Sequence, residues 1–421
     1  MATDYFNNLK HNGSFLNDCV SLYGITTDEI TARYANLLNT FEMQFGVEGE
    51  YLFSSPGRIE LVGNHTDHNG GKVIAAAVSI DIVAVVNPTD NGIITIWEDG
   101  KKVVIDTNEP LIPSRDIEGE RGLVMGVCDY YLKHGMKVGG FDAVMHTTIP
   151  LGAGVSSSSA YELMAAEILN TFYNDRNLGV VFKALASQYS ENNFLFKPCG
   201  LMDQLTISAG GVSLMDFADL KNPTIDSQEW KFDDLDIFVI ATGGDHSDLT
   251  DDYAAIKREM NDVAKFFGAN ILREVNPNDF NAKLEELKGA VSERAIDRAE
   301  HFFEENKRVE NAYYAVKKKD EKAFLKAIND SGFSSRYKLK NCYSEKAGNH
   351  NIENGLDAVS EVKGVVASRV HGGGFAGTIL VFVKRKNSFA AQNEFNKIFG
   401  AKSVMKVAIR QAGATCIAKL Y

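Results

Sequence analysis

No CxxC pair occurs in this sequence: its five cysteines, Cys19, Cys128, Cys199, Cys342 and Cys416, are odd in number and widely scattered. That distribution suits neither a disulfide framework nor a zinc cage, and fits a reducing cytoplasm. Long apolar runs are also missing. The longest, Val73 to Val86, is interrupted by Ser79 and Asp81, which excludes a membrane span. The start, MATDYFNNLKHNG, lacks the basic flank and apolar centre of a signal peptide. Positive charge is in deficit, with Lys+Arg 44 against Asp+Glu 56 and a net charge of -12. Nonspecific attraction to nucleic acid or to an anionic membrane is therefore disfavoured, and any anionic ligand must be held locally. GxxxxGK[ST] is absent, the GGGFAG run leads into a strand and so is no Rossmann GxGxxG, and there is no internal repeat or low-complexity tract.

What is present is an ordinary globular composition, 44% hydrophobic over 421 residues, enough for a sizeable core and for two domains. The first half mixes β-rich runs (VIAAAVSIDIVAVV, GIITIWEDGKKVVID) with Gly-rich turns and the helical stretch SAYELMAAEILNTFY, an α+β pattern. From about Tyr253 the chain turns to long charged segments with apolar residues at helical spacing, AAIKREMNDVAKFFG and ERAIDRAEHFFEENKRVENAYYAVKKKDEKAFLKAIND. No heptad persists for four repeats, so these read as surface helices packing one face on a sheet. Strand-like GVVASRV, GTILVFVKR and VMKVAI follow. The turn-rich DLKNPTIDSQEW sets a boundary, giving domains at 1–225 and 226–421.

Three Gly-rich stretches carry chemistry. PLGAGVSSSSAYELMAAEIL runs a Gly/Ser loop into an amphipathic helix, so free backbone N–H groups, the positive helix end and four hydroxyls converge, as a phosphate requires. A Ser-rich N-cap without a ligand is the alternative, but one hydroxyl suffices to cap. SRVHGGGFAGTILVFV places three glycines at the mouth of a β-branched strand, where a backbone can approach a ligand closely. SSPGRIELVGNHTDHNGG gathers an arginine, a glutamate, two histidines and an aspartate ahead of a strand. His65, Asp67 and His68 lack the helical i+4 partner of a zinc site.

In this order the three stretches resemble the motifs of the galactokinase branch of the GHMP kinases, and KPCGLMDQ is similar to that branch's PCGxMDQ segment. The resemblance spans nearly the whole chain. It implies an α+β fold in which an N-terminal domain related to ribosomal protein S5 domain 2 and a C-terminal ferredoxin-like α/β domain enclose a cleft. It also implies ATP, Mg²⁺ and transfer of a phosphoryl group to the anomeric hydroxyl of galactose or a relative, by a cytoplasmic monomer or weak homodimer. Asp203 matches the carboxylate facing that hydroxyl, and Arg58 the arginine that stabilises it and the transferred group. Asn64, His65, Asp67, Gly200 and Tyr253 match the sugar-contacting positions. Gly152, Gly154, Ser156, Ser157, Ser158, Ser159 and Gly373 would hold the nucleotide. Glu191, twelve residues before Asp203, matches the Mg²⁺ carboxylate, with Ser157 completing that site. Trp97 is a candidate adenine contact, whereas His134, His146 and His301 match nothing and read as structural or surface residues.

The sequence also departs from the family. Asn64 replaces the usual glutamate, His68 a tyrosine, Glu60 an asparagine, and Asp245 a basic residue. Losing the glutamate, which touches the sugar 6-hydroxyl in the family, admits galacturonate. A catalytically silent sugar sensor is a further alternative, but silent relatives lose part of the Ser-rich loop, and VSSSSA is complete here.

Overall fold

The computed structural model describes residues 2–24, 27–150, 152, 154–243, 249–344, 348–375 and 377–420. Asp245, singled out above, lies outside the described residues. Strands β1 (Tyr51–Val62), β2 (Lys72–Thr89), β3 (Ile93–Glu98), β4 (Lys101–Asp106), β5 (Gly140–Thr147), β6 (Val212–Asp216) and β7 (Thr224–Gln228) build the first sheet. A second sheet follows from β8 (Leu235–Gly243), β9 (Val365–His371), β10 (Gly377–Lys384) and β11 (Val404–Val407), in the order β11-β8-β10-β9. The chain then returns, and β12 (Thr415–Lys419) pairs antiparallel with β1 in the first sheet. All described pairings are antiparallel except β3 with β5.

The segments read as strands and helices from their periodicity adopt those forms. One long charged stretch divides into two helices, Glu293–Lys318 and Glu321–Ser334. Lys319 takes the left-handed conformation at φ 58° and Asp320 caps the next helix by accepting the Ala323 N–H, so local chemistry breaks a continuous pattern.

Both faces of the first sheet are covered, so β1 is buried along nearly its whole length and shows no alternation. On one face the N-terminal helix Asp28–Phe45 packs Leu38 and Phe41 against Leu52, Val83 and Val85. Each such side chain contributes about 1.5–3 kcal/mol relative to exposure, which makes the N-terminal helices part of the core. On the other face the helices Gly119–Lys133 and Ser157–Tyr173 share a cluster that continues through Val309 and Phe324 to Leu380 of the second sheet. Asp81, which interrupts the apolar run of β2, is fully buried and paired with Arg33 at 2.6 Å and Arg410 at 3.3 Å. A carboxylate is tolerated there because two guanidinium groups satisfy it.

Candidate active site

The helix that follows the Gly/Ser loop begins at Ser157, and the residue before it does not cap it. Ser156 sits at φ 66°, a left-handed conformation unfavourable for a residue with a β-carbon, and makes no capping hydrogen bond. Its hydroxyl instead donates to Asp203 Oδ2 at 2.5 Å and lies 3.0 Å from Ser159 Oγ. The N–H groups of the first helical turn are thereby left for something other than a cap. Gly152 and Gly154 of the same loop take positive φ, 73° and 70°. A β-carbon on Gly154 would lie 3.5 Å from Thr378 Oγ1 and 3.6 Å from His371 Nδ1, so the loop faces the mouth of the GGG strand of the second sheet.

Asp203 lies in the first turn of the helix Met202–Ala209. Arg58, reaching from β1, holds it by a two-pronged grip, Nε to Oδ1 and Nη2 to Oδ2, both at 2.6 Å. The third arm of the same guanidinium donates to the Gly154 carbonyl. Arg58 is nearly buried, whereas the Asp203 side chain keeps 27% exposure, so the carboxylate is fixed yet reachable.

Next to this pair stand the candidate sugar contacts. His65 Nε2 lies 2.8 Å from the Gly373 carbonyl; a carbonyl only accepts, so the proton is on Nε2 and Nδ1 is free to accept. Burial, with His68 adding to it, lowers this imidazole to about 4 and keeps it neutral. Tyr253 donates to the Gly374 carbonyl at 2.9 Å, and a β-carbon on Gly373 would come within 2.5 Å of its ring. A β-carbon on Gly200 would meet Asp67 Oδ2 at 2.7 Å, which ties the PCGLMDQ turn to the HTDH segment.

Asn64 is a different matter. It is 1% exposed, donates through Nδ2 to Glu60 Oε1 at 2.9 Å and to the Gly372 carbonyl at 2.7 Å, and accepts from Asn341 at 2.7 Å. Its two N–H groups are spent inside the protein because Glu60, itself paired with Arg369, supplies the nearer acceptor. The side chain braces the GGG loop and turns no donor to the cleft. His301, read as a structural or surface residue, is buried, with Nε2 2.9 Å from the Asn64 carbonyl.

Glu191 would ordinarily be a solvated helix residue. The helix Val180–Tyr189 passes instead into a π-turn, Ser190–Phe194, which carries Glu191 inward to 4% exposure. Glu162, on the helix that starts at Ser157, is fully buried without a well-formed hydrogen bond, and burial followed by Glu191 pushes its carboxyl well above the usual range. Among the described residues no group of three or more His, Cys, Asp or Glu is placed to hold a metal.

Beside Ser157 and Ser158 opens a cavity of about 860 Å³ walled by Val103, Ile117, Leu123, Ile149, Leu195 and Phe196. Trp97 does not line it. That ring faces a separate groove with Arg33 and His146, and Lys102 Nζ lies 5.6 Å from its centre. Sequence reasoning passed over His371. Its Nε2 accepts the Glu60 N–H at 3.2 Å, so the proton is on Nδ1, which is buried without a partner on the side of the phosphate loop. The signal was a histidine directly ahead of three glycines.

The fold and the Gly/Ser loop at a helix start define a GHMP kinase, and the GHMP kinases N terminal domain matches residues 122–211. The galactokinase galactose-binding signature matches residues 39–88. A galactokinase of Clostridium tetani is 30% identical over 402 residues, covering 88% of this chain and 96% of the relative. The Homo sapiens galactokinase is 28% identical over 403 residues, covering 92% and 97%. Among solved structures, the galactokinase of Lactococcus lactis complexed with galactose superposes with a TM-score of 0.76 at 22% identity, covering 91% of this chain and 99% of that one. The mevalonate kinase of Methanococcus jannaschii gives 0.61 at 14% identity, with 86% and 98% covered. The chain belongs to the galactokinase family and is a sugar kinase of that type, a phosphotransferase with an alcohol acceptor. Among the described residues no helix is long and apolar enough to cross a membrane.

Proposed function

We propose that this kinase transfers the γ-phosphate of ATP to the anomeric hydroxyl of galactose or a close relative, giving a sugar 1-phosphate and ADP. The observation that carries this reading is the Asp203 carboxylate, gripped by Arg58 and touched by Ser156 of the Gly/Ser loop. Candidate base and candidate phosphate site are thus joined by one hydrogen bond. Asp203 accepts or orients the proton of the attacking hydroxyl, and Arg58, whose charge is permanent, stabilises the carboxylate and the charge on the transferred group.

The first-turn N–H groups of the helix Ser157–Tyr173 and the hydroxyls of Ser157 and Ser158 hold the phosphates, with Gly373 on the opposite side, and the base and ribose enter the adjoining cavity. His65, Asp67, Gly200 and Tyr253 face the sugar hydroxyls. Ser157 and Glu191 would hold Mg²⁺ through hydroxyl and carboxylate oxygens, and the ion would supply charge to neutralise the phosphates.

Galacturonate is the second reading, since position 64 carries no family glutamate, but Asn64, whose amide is spent on Glu60 and Gly372, does not itself select between the two sugars. Incubation with ATP, Mg²⁺ and galactose, galacturonate, N-acetylgalactosamine, arabinose or glucose, followed by phosphorus NMR, tests all of this. A sugar 1-phosphate signal identifies the substrate. No product from any sugar would leave the silent sensor as the better description.

A further inference from the structure

In the cavity beside the Gly/Ser loop, three groups converge that the phosphoryl transfer does not use. Glu98 ends β3, Glu120 lies in the first turn of the helix Gly119–Lys133, and Tyr161 is one turn beyond Ser157 on the phosphate-loop helix. All three line the same cavity as Ser157 and Ser158. Residues four apart share a helix face, so Ser157 and Tyr161 belong to one wall.

The Tyr161 hydroxyl is buried and has no hydrogen-bond partner, although a buried phenol ordinarily finds one. Glu98 and Glu120 are half-buried and form no ion pair among the described residues; Lys101, opposite Glu98 across the hairpin, and Asp99 and Arg115 at the cavity edge are exposed. Burial, then Glu120 and Asp99, raise the Glu98 carboxyl to about 7. Two like charges and an unsatisfied hydroxyl facing one apolar cavity form a costly arrangement unless a ligand brings hydrogen-bond donors to it. Phe196, exposed at φ 53° with Arg115 5.8 Å over its ring, supplies a flat face at the mouth.

We propose that Glu98 and Glu120, together with Tyr161, read the exocyclic amino group of the nucleotide base and so set which triphosphates this kinase accepts. The proposal rests on the placement of the nucleotide in this cavity. An amino group donates two N–H bonds to carboxylates, and the ring nitrogen beside it in adenine accepts from a hydroxyl or a protonated carboxyl. Adenine therefore satisfies all three groups, whereas an unsubstituted purine leaves the carboxylates facing C–H.

The test is equilibrium binding of ATP and of purine riboside triphosphate, measured by calorimetry in the presence of Mg²⁺. The intact protein should favour ATP by on the order of ten- to a hundredfold, the range of a hydrogen bond to a charged group. Glu98→Ala with Glu120→Ala should bring the two nucleotides to within about threefold. Ile117→Trp, which pushes a bulky ring from the wall into the cavity, should weaken both nucleotides together by at least about tenfold, and melting curves verify that each variant is folded. If Ile117→Trp changes neither affinity, the nucleotide lies elsewhere and the placement fails along with the proposal. If it weakens both while the double variant keeps the intact protein's preference, the cavity holds the nucleotide but the two glutamates do not read its base. An intact protein that binds both nucleotides equally also overturns the proposal.

Discussion

Ser156 gives its hydroxyl to Asp203 Oδ2, 2.5 Å away, and leaves uncapped the helix it precedes. The loop residue that a stability argument would assign to capping is committed instead to the carboxylate proposed as catalytic base. Replacing it separates those roles. Ser156→Ala and Ser156→Gly both remove the hydrogen bond, and kcat should fall by about tenfold in each, the order of one net hydrogen bond. Only glycine relieves the left-handed φ of 66°, so Ser156→Gly should melt higher than Ser156→Ala, by about 1 kcal/mol. Equal melting temperatures would show that the loop stores no strain there.

Asp203→Asn keeps the shape of the side chain but removes its charge and its basicity. Turnover should drop by roughly 10²–10⁴ while ATP affinity stays within about threefold, measured by steady-state kinetics and nucleotide titration. Near-normal turnover would remove Asp203 from the chemistry.

Gly200→Ala places a methyl group 2.7 Å from Asp67 Oδ2, a distance that real contacts do not tolerate. Asp67 must then shift within the sugar-facing segment. KM for the sugar should rise by about tenfold or more with KM for ATP unchanged. A rise in both would place the effect on the whole cleft.

Glu60 is buried beside Arg369, and burial outweighs that partner, raising its carboxyl from 4.5 to about 7. The folded state thus binds the proton more tightly than the unfolded chain does. The stability from this group is complete below about pH 4.5, drains as pH rises to about 7, and is level above that. The loss is on the order of 3 kcal/mol. Denaturant unfolding of Glu60→Gln at pH 5 and pH 8 should show a smaller difference than the intact protein; an identical difference would mean that Glu60 does not titrate in that window.

Asn64→Glu restores the family residue, yet the result should be chiefly structural. Glutamate would bring a second carboxylate to Glu60 and lose the donation to the Gly372 carbonyl. The protein should lose about 2–4 kcal/mol of stability. The ratio of kcat/KM between galactose and galacturonate should stay within about twofold. A tenfold shift of that ratio toward galactose would show that residue 64 reads sugar C6 after all.

The elements of the fold were legible wherever one pattern ran uninterrupted, as in β10 and the helix Ser157–Tyr173. They were less legible where a local event cut the pattern, as at Lys319 and Asp320 inside a run that reads as one helix. Glu191 shows the limit for single residues. Nothing in SQYSENNF announces a π-turn, because the extra residue in a helical turn is fixed by what packs around it.

The sequence alone determined the family, since ordered motifs of Gly, Ser, Asp and Arg report which backbone conformations and charges must exist somewhere in the molecule. It determined the strand and helix content for the same local reason. Only the tertiary structure decided where those groups point. Asn64 sits in a motif beside His65, yet its amide is consumed by Glu60 and Gly372, whereas His65 keeps Nδ1 available. Trp97 and Glu98 are adjacent on one strand, and the ring faces the groove beside Arg33 while Glu98 also reaches the cavity beside Ser157. Neighbours in sequence part in this way because a turn, or the end of a strand, aims successive side chains at different surroundings. What covers each face is set by segments hundreds of residues away, so the assignment belongs to packing and not to pattern.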